Sequence, residues 1–200
     1  MKKDFTIKAI AKEEAKSILE KYHYLSKISR GFKSGYNYGL YHKQTLSGVS
    51  IFTGLPVPEV AKGCFGLERN EQDGLFELSR LCLIPEVQHS EHNLAGWFSS
   101  RAIKQLRKDV NVRAILSYAD NDFHSGIVYA ATNWKYYGLT DPKKDFWFKQ
   151  EDGTYKKHNR GKISGCEGEW RDRSRKHRFL KVFDPSLNVL WQEQEWKNKS

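Results

Sequence analysis

The chain has 200 residues, 38% of them hydrophobic and 14% aromatic, which suits one domain with a sizeable core. A formal charge of +10 indicates an anionic partner, whether nucleic acid, a cofactor phosphate or a membrane surface. Three cysteines without a Cys-x-x-Cys pair argue against a disulfide framework and a zinc knuckle. No apolar run reaches 18 residues, so we expect a cytoplasmic protein without a membrane partner.

The first elements in chain order are a helix and a hairpin. Apolar residues at helical spacing predict an amphipathic helix over residues 10–22, namely Ala15, Ile18, Leu19 and Tyr22. Residues 36–41 and 48–52 are aromatic or β-branched, and a polar turn separates them. This pattern predicts a β-hairpin.

The middle of the chain alternates strands and helices. The expected order is a strand over 76–84, a helix over 92–108, a strand over 113–118, a short helix over 126–133 and a strand over 134–139. This order favours an α/β fold with parallel pairing and right-handed crossovers. Farther on, strand-like segments lie at 146–148, 179–183 and 189–191. We therefore expect a core over 1–142 and a basic, strand-rich extension over 143–200, packed on it as one compact domain.

A polar stretch, SYADNDFHSG over residues 117–126, follows a buried strand. In open α/β sheets ligands bind beyond the carboxyl ends of the strands, so the stretch lies where a site is expected. Asp120 could accept a proton from an amino group, or it could cap the following turn. His124 could be a base, a metal ligand together with Asp120 and His23, or a hydrogen-bond partner of the loop.

Arg80 interrupts an otherwise apolar strand. A buried guanidinium needs an anion or a carboxylate such as Glu77, in a functional site or in a structural salt bridge. Strand alternation would place Glu77 and Arg80 on opposite faces, unless a β-bulge intervenes.

Basic residues are concentrated near the C-terminus. Residues 155–181 contain ten Lys and Arg against three acidic residues. A solvated face would show the same composition, but the density favours phosphate contacts. The candidate DNA-binding residues are Arg171, Arg173, Arg175, Lys176, Arg178 and Lys181.

Several short motifs occur in a characteristic order, and together they resemble the phage Mom family of DNA-modification proteins over roughly residues 20–183. The motifs are His23-Tyr-Leu-Ser26, Glu77-Leu-Ser-Arg80, Ser117-Tyr-Ala-Asp120, His124-x-Gly126, Tyr129-x-Ala131, Trp134-Lys-Tyr-Tyr-Gly138 and the basic run Arg173–Arg178. The order of elements also resembles the GCN5-related N-acyltransferase (GNAT) fold. The resemblance implies an α/β protein with a GNAT-like mixed sheet flanked by helices.

The resemblance further implies an enzyme that transfers a carbamoylmethyl-type group to adenine N6 in double-stranded DNA and so protects phage DNA from restriction. The candidate catalytic residues are Asp120, Arg80, His23, Tyr24, His124, Tyr129 and Ser117, with Tyr129 as the general acid. The candidate substrate-binding residues are Ser26, Glu77, Tyr136 and Trp134, of which the last two could stack on an extruded base.

The chain departs from acetyl-CoA-dependent GNAT proteins at one segment. Their glycine-rich pyrophosphate turn corresponds here to residues 85–93, which contain no glycine. The donor therefore stays open between acetyl-CoA, a related compound and something else, and a requirement for iron also stays open. Two other functions remain: a GNAT acetyltransferase acting on a protein or small molecule, and a non-enzymatic DNA-binding or host-inhibitory protein.

Overall fold

The computed structural model describes residues 2–24, 32–158 and 163–198. Its centre is a seven-stranded mixed sheet in the order β1-β2-β3-β4-β5-β10-β6. The strands are β1 (Phe5–Ala9), β2 (Tyr36–His42), β3 (Thr45–Gly54), β4 (Leu75–Leu83), β5 (Ala114–Asp120), β6 (Lys135–Leu139) and β10 (Lys176–Val182). A separate three-stranded sheet contains β7 (Lys143–Lys149), β8 (Tyr155–Lys157) and β9 (Gly168–Arg173).

Helices cover both faces of the large sheet. They are α1 (Lys12–Tyr22), α2 (Pro58–Phe65), α3 (Pro85–Gln88), α4 (Leu94–Asp109) and α5 (Ile127–Ala130). The apolar sides of α1 and α2 pack on one face, and α4 packs on the other, where Phe98 and Leu106 are fully buried. In the described parts of the chain, none of these helices combines the length and apolarity needed to cross a membrane.

Most predicted elements are confirmed, with boundaries shifted by a few residues. The helix before the hairpin, the hairpin and the alternating middle segment are all present. The predicted strand at 189–191 is wrong, because these residues have no regular structure and pack beside α2 instead. The pattern did not predict β1 or α2, since neither has a long periodic segment.

The predicted parallel pairing is only partly correct. Among the described strands, parallel pairing is confined to β4 and β5, from Leu75↔Ala114 to Glu77↔Leu116. The predicted parallel pairing does not extend from β5 to β6, because β10 lies between them and is antiparallel to both. A strand from the C-terminal region therefore completes the central sheet. The division into 1–142 and 143–200 stays a prediction.

A β-bulge in β4 opens the sheet beside β5. Arg80 pairs with Ile51 and Leu78 pairs with Phe52, so Ser79 is the extra residue. Beyond Glu77 and Leu116 the described residues form no β4–β5 pair, although both strands continue. The two strands are thus joined at one end and separate at the other.

Candidate active site

Two cavities lie on opposite faces of the sheet, at the opening between β4 and β5. The α4-side cleft, about 460 Å³ in volume, is lined by β4, α3, α5, His23 and His124. The α2-side pocket, about 500 Å³, is lined by α2, the end of β5 and the start of β7. Both cavities share Tyr24, Ser79, Arg80 and Tyr118. A group bound on one face of the sheet could therefore meet a group bound on the other.

Asp120 is a wall of the α2-side pocket, and its side chain is almost fully buried. Its carboxylate accepts hydrogen bonds from Lys176 Nζ, from the Ser174 hydroxyl and from the backbone N–H of Asp122 at 3.2 Å. Burial would raise the pKa of Asp120, but these hydrogen bonds outweigh burial and lower the pKa. Asp120 is therefore ionised and a weak proton acceptor.

Aromatic and histidine rings form one wall of the α4-side cleft. Tyr24 stacks on His23 with ring centroids 4.6 Å apart, contacts Phe123 at 4.6 Å and meets the edge of His124 at 5.6 Å. Burial, with the charge of Arg80, lowers the pKa of His23 to about 4. Burial also lowers the pKa of His124, although the charge of Asp120 opposes it. Both imidazoles are thus neutral at pH 7.

Arg80 and Glu77 lie on the same face of β4, because the bulge at Ser79 changes the alternation. Both residues line the α2-side pocket. Within the described residues no ion pair of 4.0 Å or less joins them, and Arg80 instead donates to the Ser79 carbonyl at 2.6 Å. Burial raises the pKa of Glu77, and the charges of Arg80 and Lys33 oppose the rise. Glu77 is therefore more basic than Asp120, whose pKa is lowered.

Tyr129 and Ser117 lie toward the α4 side. Tyr129, 7% exposed, lines the cleft, and burial raises its pKa, while a side-chain hydrogen bond with Ser117 opposes the rise. The phenol is protonated at neutral pH and could donate a proton. The Ser117 hydroxyl donates to the Leu78 carbonyl at 2.9 Å, which links β5 to β4 where the two strands separate.

The structure places the expected base-stacking residues away from the two cavities. Trp134 is 5% exposed and packs edge-on against Tyr129, with ring centroids 5.3 Å apart. The hydroxyl of Tyr136, on β6, lies 2.8 Å from Nδ1 of His177 on the neighbouring strand β10. Neither Trp134 nor Tyr136 is among the described residues that line the cleft or the pocket. Ser26 lies outside the described residues.

The six candidate DNA-binding residues do not form one patch. Arg171 and Arg173 are exposed on β9. Arg175 donates to the Thr140 carbonyl at 2.6 Å, and Lys176 is paired with Asp120. Arg178 stacks on Trp191 at 4.6 Å, whereas Lys181 donates to the Thr132 carbonyl at 2.7 Å from the other face of β10. The dense basic run is therefore divided between exposed positions on the small sheet and half-buried positions at and within β10.

The described lining of the α4-side cleft supplies little positive charge for a pyrophosphate. Asn93 precedes α4 in a left-handed conformation, with φ 50°, and its side chain lies against Gly96. Arg80, at the opposite end, is the one Lys or Arg among the described lining residues. A single cation does not identify a site for the pyrophosphate of coenzyme A, so the donor is unassigned.

Metal ligands do not converge in this region. In the parts of the chain that the structure describes, no three His, Cys, Asp or Glu side chains are arranged to hold a metal ion. The carboxylate of Asp120 is already occupied by Lys176 and Ser174. The hypothesis of a metal site formed by His23, Asp120 and His124 therefore has no support in this arrangement.

Sequence reasoning missed two contributors to the site. Tyr118 lines both cavities, and burial, together with the charge of Glu77, raises its pKa to about 12. Its place between Ser117 and Asp120, beside the end of a strand, was the available signal. Lys143, which lines the α2-side pocket from β7, had no such signal, because its position depends on how the small sheet folds back.

The chain belongs to the Mom protein family, whose pattern it matches over residues 4–191. This match confirms the resemblance inferred from the short motifs. Curated protein sequences include no significant match to the chain.

Solved structures share the fold. A Bacillus subtilis acetyltransferase in complex with CoA is similar with a TM-score of 0.51 and 11% identity, over 90% of this chain and 99% of that one. The ribosomal-protein-S18-alanine N-acetyltransferase of Escherichia coli gives 0.52 and 11%, over 94% and 99%. An acetyltransferase of the GNAT family from Streptococcus pneumoniae gives 0.51 and 8%, over 90% and 99%. The expected GNAT-like mixed sheet flanked by helices is confirmed.

Proposed function

We propose that this member of the Mom protein family transfers a carbamoylmethyl-like, acyl-type group to N6 of adenine in duplex DNA. One observation carries the proposal: two cavities on opposite faces of the sheet meet at Arg80 and Tyr118, where β4 and β5 separate. A donor in one cavity and an acceptor in the other would react through this opening. The fold is one on which acyl transfer is carried out, and the family name links the chain to DNA modification.

The α2-side pocket suits the adenine. Its wall includes Lys143, Arg173 and Lys176, cations that favour the polyanionic strand attached to the base. Glu77 presents carboxylate oxygens, which accept hydrogen bonds from an exocyclic amino group, whereas Asp120 is already bonded to Lys176 and Ser174. The donor would then occupy the α4-side cleft, whose walls are more aromatic and less cationic.

Two residues are suited to move protons. When N6 attacks the donor carbon, it must lose a proton, and Glu77 is the better acceptor because its pKa is raised whereas that of Asp120 is lowered. The leaving group gains a proton, and the buried phenol of Tyr129 in the α4-side cleft can supply it. Arg80 lies between the two cavities, where its charge stabilises negative charge that develops during transfer.

The base must leave the duplex before it can react. Since Trp134 is buried in the core, the aromatic surface for an extruded base is supplied by Tyr24 and Phe123, which are 37% and 52% exposed. Their rings are in contact with each other, and Tyr24 lines the α2-side pocket. A base that enters the pocket could stack on this surface.

Mass spectrometry of nucleosides from plasmid DNA, grown with and without the protein, tests the proposal. We expect a heavier adenosine derivative with the wild-type chain and a loss of about 10²- to 10⁴-fold in Glu77→Gln and Tyr129→Phe. Tyr137→Phe is the matched control, because Tyr137 is equally buried but packs beside α2, away from both cavities. Unmodified adenosine in the wild-type sample would contradict the proposal, and acetylated protein or small molecules in the same cells would favour an acetyltransferase.

A further inference from the structure

Two cations face each other at the mouth of the α2-side pocket. Lys143, the first residue of β7, lies directly opposite Arg173, the last residue of β9, in the antiparallel register. Both side chains line the pocket. Like charges at directly opposed positions of an antiparallel pair destabilise the sheet. The pair is therefore costly unless an anion lies between the two side chains.

Neighbouring acidic residues do not relieve this repulsion. Among the described residues, no carboxylate lies within 4.0 Å of the Lys143 ammonium or the Arg173 guanidinium. Asp141 lines the same pocket without reaching either of them, and Asp120 is already paired with Lys176. Glu77 is on the far wall, on β4. The pair is thus available to an external anion.

The face of the small sheet that contains this pair continues as a basic and aromatic surface. The Arg171 guanidinium lies 4.7 Å from the ring of Trp147 and 4.8 Å from that of Tyr155. Besides the pair at the pocket, the described cations on this face are matched with carboxylates: Arg171 with Glu169 at 2.5 Å, Lys157 with Asp145 at 2.5 Å and Lys149 with Glu167 at 3.1 Å. Free charge is consequently concentrated at the end nearest the pocket.

The opposite face of the small sheet differs. It presents Phe146, Phe148 and Trp170, and its Lys144 lies 3.8 Å from Asp172. Its second cation, Lys156, pairs opposite Phe148, five residues along β7 from Lys143 at the pocket end. Lys144 and Lys156 are therefore exposed lysines of the same sheet that point away from the pocket.

We propose that Lys143 and Arg173 together bind one backbone phosphate of the DNA strand whose adenine enters the α2-side pocket. The inference rests on the proposed function for the identity of the acceptor. A phosphate between the two side chains removes their repulsion and gains charge-assisted hydrogen bonds, with the Arg173 guanidinium able to donate two in parallel. We call Lys143 and Arg173 the phosphate clamp. The bound phosphate would fix the register of the strand relative to Glu77 and Arg80, so the clamp positions the base and does not read its sequence.

Fluorescence anisotropy of a labelled duplex oligonucleotide, measured over a series of salt concentrations, tests the clamp. The variant is Lys143→Gln/Arg173→Gln, and the matched control is Lys144→Gln/Lys156→Gln, which removes the same charge from the opposite face. We expect the affinity of the first variant to fall about 10- to 100-fold. The slope of log K against log salt should become smaller by about 0.9, the loss of one phosphate contact. Lys143→Arg/Arg173→Lys should restore most of the affinity.

The outcomes separate this inference from the proposed function. If the wild-type chain modifies adenine, but the Lys143→Gln/Arg173→Gln variant and the Lys144→Gln/Lys156→Gln control show the same slope of log K against log salt, the clamp is wrong and the proposed function stands. If no adenine is modified but only the Lys143→Gln/Arg173→Gln variant loses affinity, the clamp is supported and the proposed chemistry is wrong. If the Lys144→Gln/Lys156→Gln control loses as much affinity as the clamp variant, the contact is diffuse attraction and the clamp is overturned.

Discussion

The ammonium of Lys176 donates to the carboxylate of Asp120, and the two residues lie directly opposite each other in the antiparallel register of β10 and β5. Lys176 is half-buried and Asp120 is 4% exposed. The pair anchors the last strand of the sheet to the strand that carries the polar loop. Asp120 therefore has a structural partner from a segment that is 56 residues away in sequence.

Replacing Asp120 with Asn should destabilise the fold by about 1.5–3 kcal/mol, because hydrogen bonds to a charged acceptor are lost and Lys176 remains without its counter-charge. Chemical denaturation at pH 7 measures the loss. Asp172→Asn is the control, since Asp172 is exposed on β9 and should change stability by less than about 0.5 kcal/mol. Equal stability of the two variants would show that the Lys176 pair contributes nothing.

The carboxyl group of Asp120 also contributes to the folding stability in a pH-dependent way. The pKa of Asp120 is lowered in the folded state from an ordinary 3.8, so its stabilisation is complete above 3.8 and is lost as the pH falls through the folded pKa. Between these values the unfolded chain binds the proton that the folded chain excludes. Acid unfolding curves of Asp120→Asn should therefore be flatter than those of the wild type below pH 4. Parallel curves would refute the assignment.

His23 should titrate near pH 4 in the folded protein, compared with 6.5 in an unperturbed histidine. Burial is the main cause, and the charge of Arg80 adds to it, so Arg80→Met should raise the pKa of His23 without restoring 6.5. Because only the unfolded chain is protonated in this interval, His23 makes stability fall as the pH decreases from 6.5 to 4. NMR titration of the imidazole measures the midpoint. A midpoint unchanged by Arg80→Met would contradict the electrostatic coupling.

Lys181→Met should leave DNA affinity unchanged within about twofold. The half-buried Lys181 ammonium donates to the Thr132 carbonyl, and burial lowers its pKa, so it is not available to a phosphate. Arg173→Met should reduce the salt slope of duplex binding, because Arg173 is exposed at the pocket mouth. The two variants remove the same charge from the same sequence cluster. An equal effect of both would support a continuous basic patch.

Gly126→Ala should destabilise the fold by about 2–5 kcal/mol, from left-handed backbone strain and overpacking. Gly126 has φ 82°, and an added Cβ would lie 2.3 Å from the ring of Phe179, which is fully buried. Gly153→Ala is the control that contains the backbone strain alone, since Gly153 has φ 79° and open space around it. This variant should lose only about 1–2 kcal/mol of stability. Thermal unfolding distinguishes them, and equal losses would leave no role for the Phe179 contact.

Patterns of apolar and polar residues within one segment correctly predicted the features that depend on that segment alone. The helical spacing of Ala15, Ile18 and Leu19 gave α1, because each of these side chains is buried against the sheet. Strand alternation, together with the possibility of a bulge, predicted that Glu77 and Arg80 could share a face, and the extra residue at Ser79 confirms it.

Long-range pairing was not accessible from these patterns. The position of β10 between β5 and β6 depends on hydrogen bonds to segments that are about 60 residues away for β5 and about 40 for β6, and no short motif encodes it. For the same reason the density of basic residues from Arg171 to Lys181 does not show that they are separated in space, with Arg171 in the small sheet and Lys181 in the large one. The burial of Trp134 likewise depends on Tyr129 and Phe179 packing around it.

The late position of β10 along the chain also constrains the order of folding. During synthesis, β4 and β5 leave the ribosome well before residues 176–182, so β5 first exists with the backbone groups of one side unsatisfied. In such a nascent chain the open edge of β5 can pair with strands of other molecules. Pairing between segments that are far apart in sequence, such as β5 and β10, is slow. The central sheet can therefore be complete only after β10 inserts beside β5 and supplies the counter-charge to Asp120.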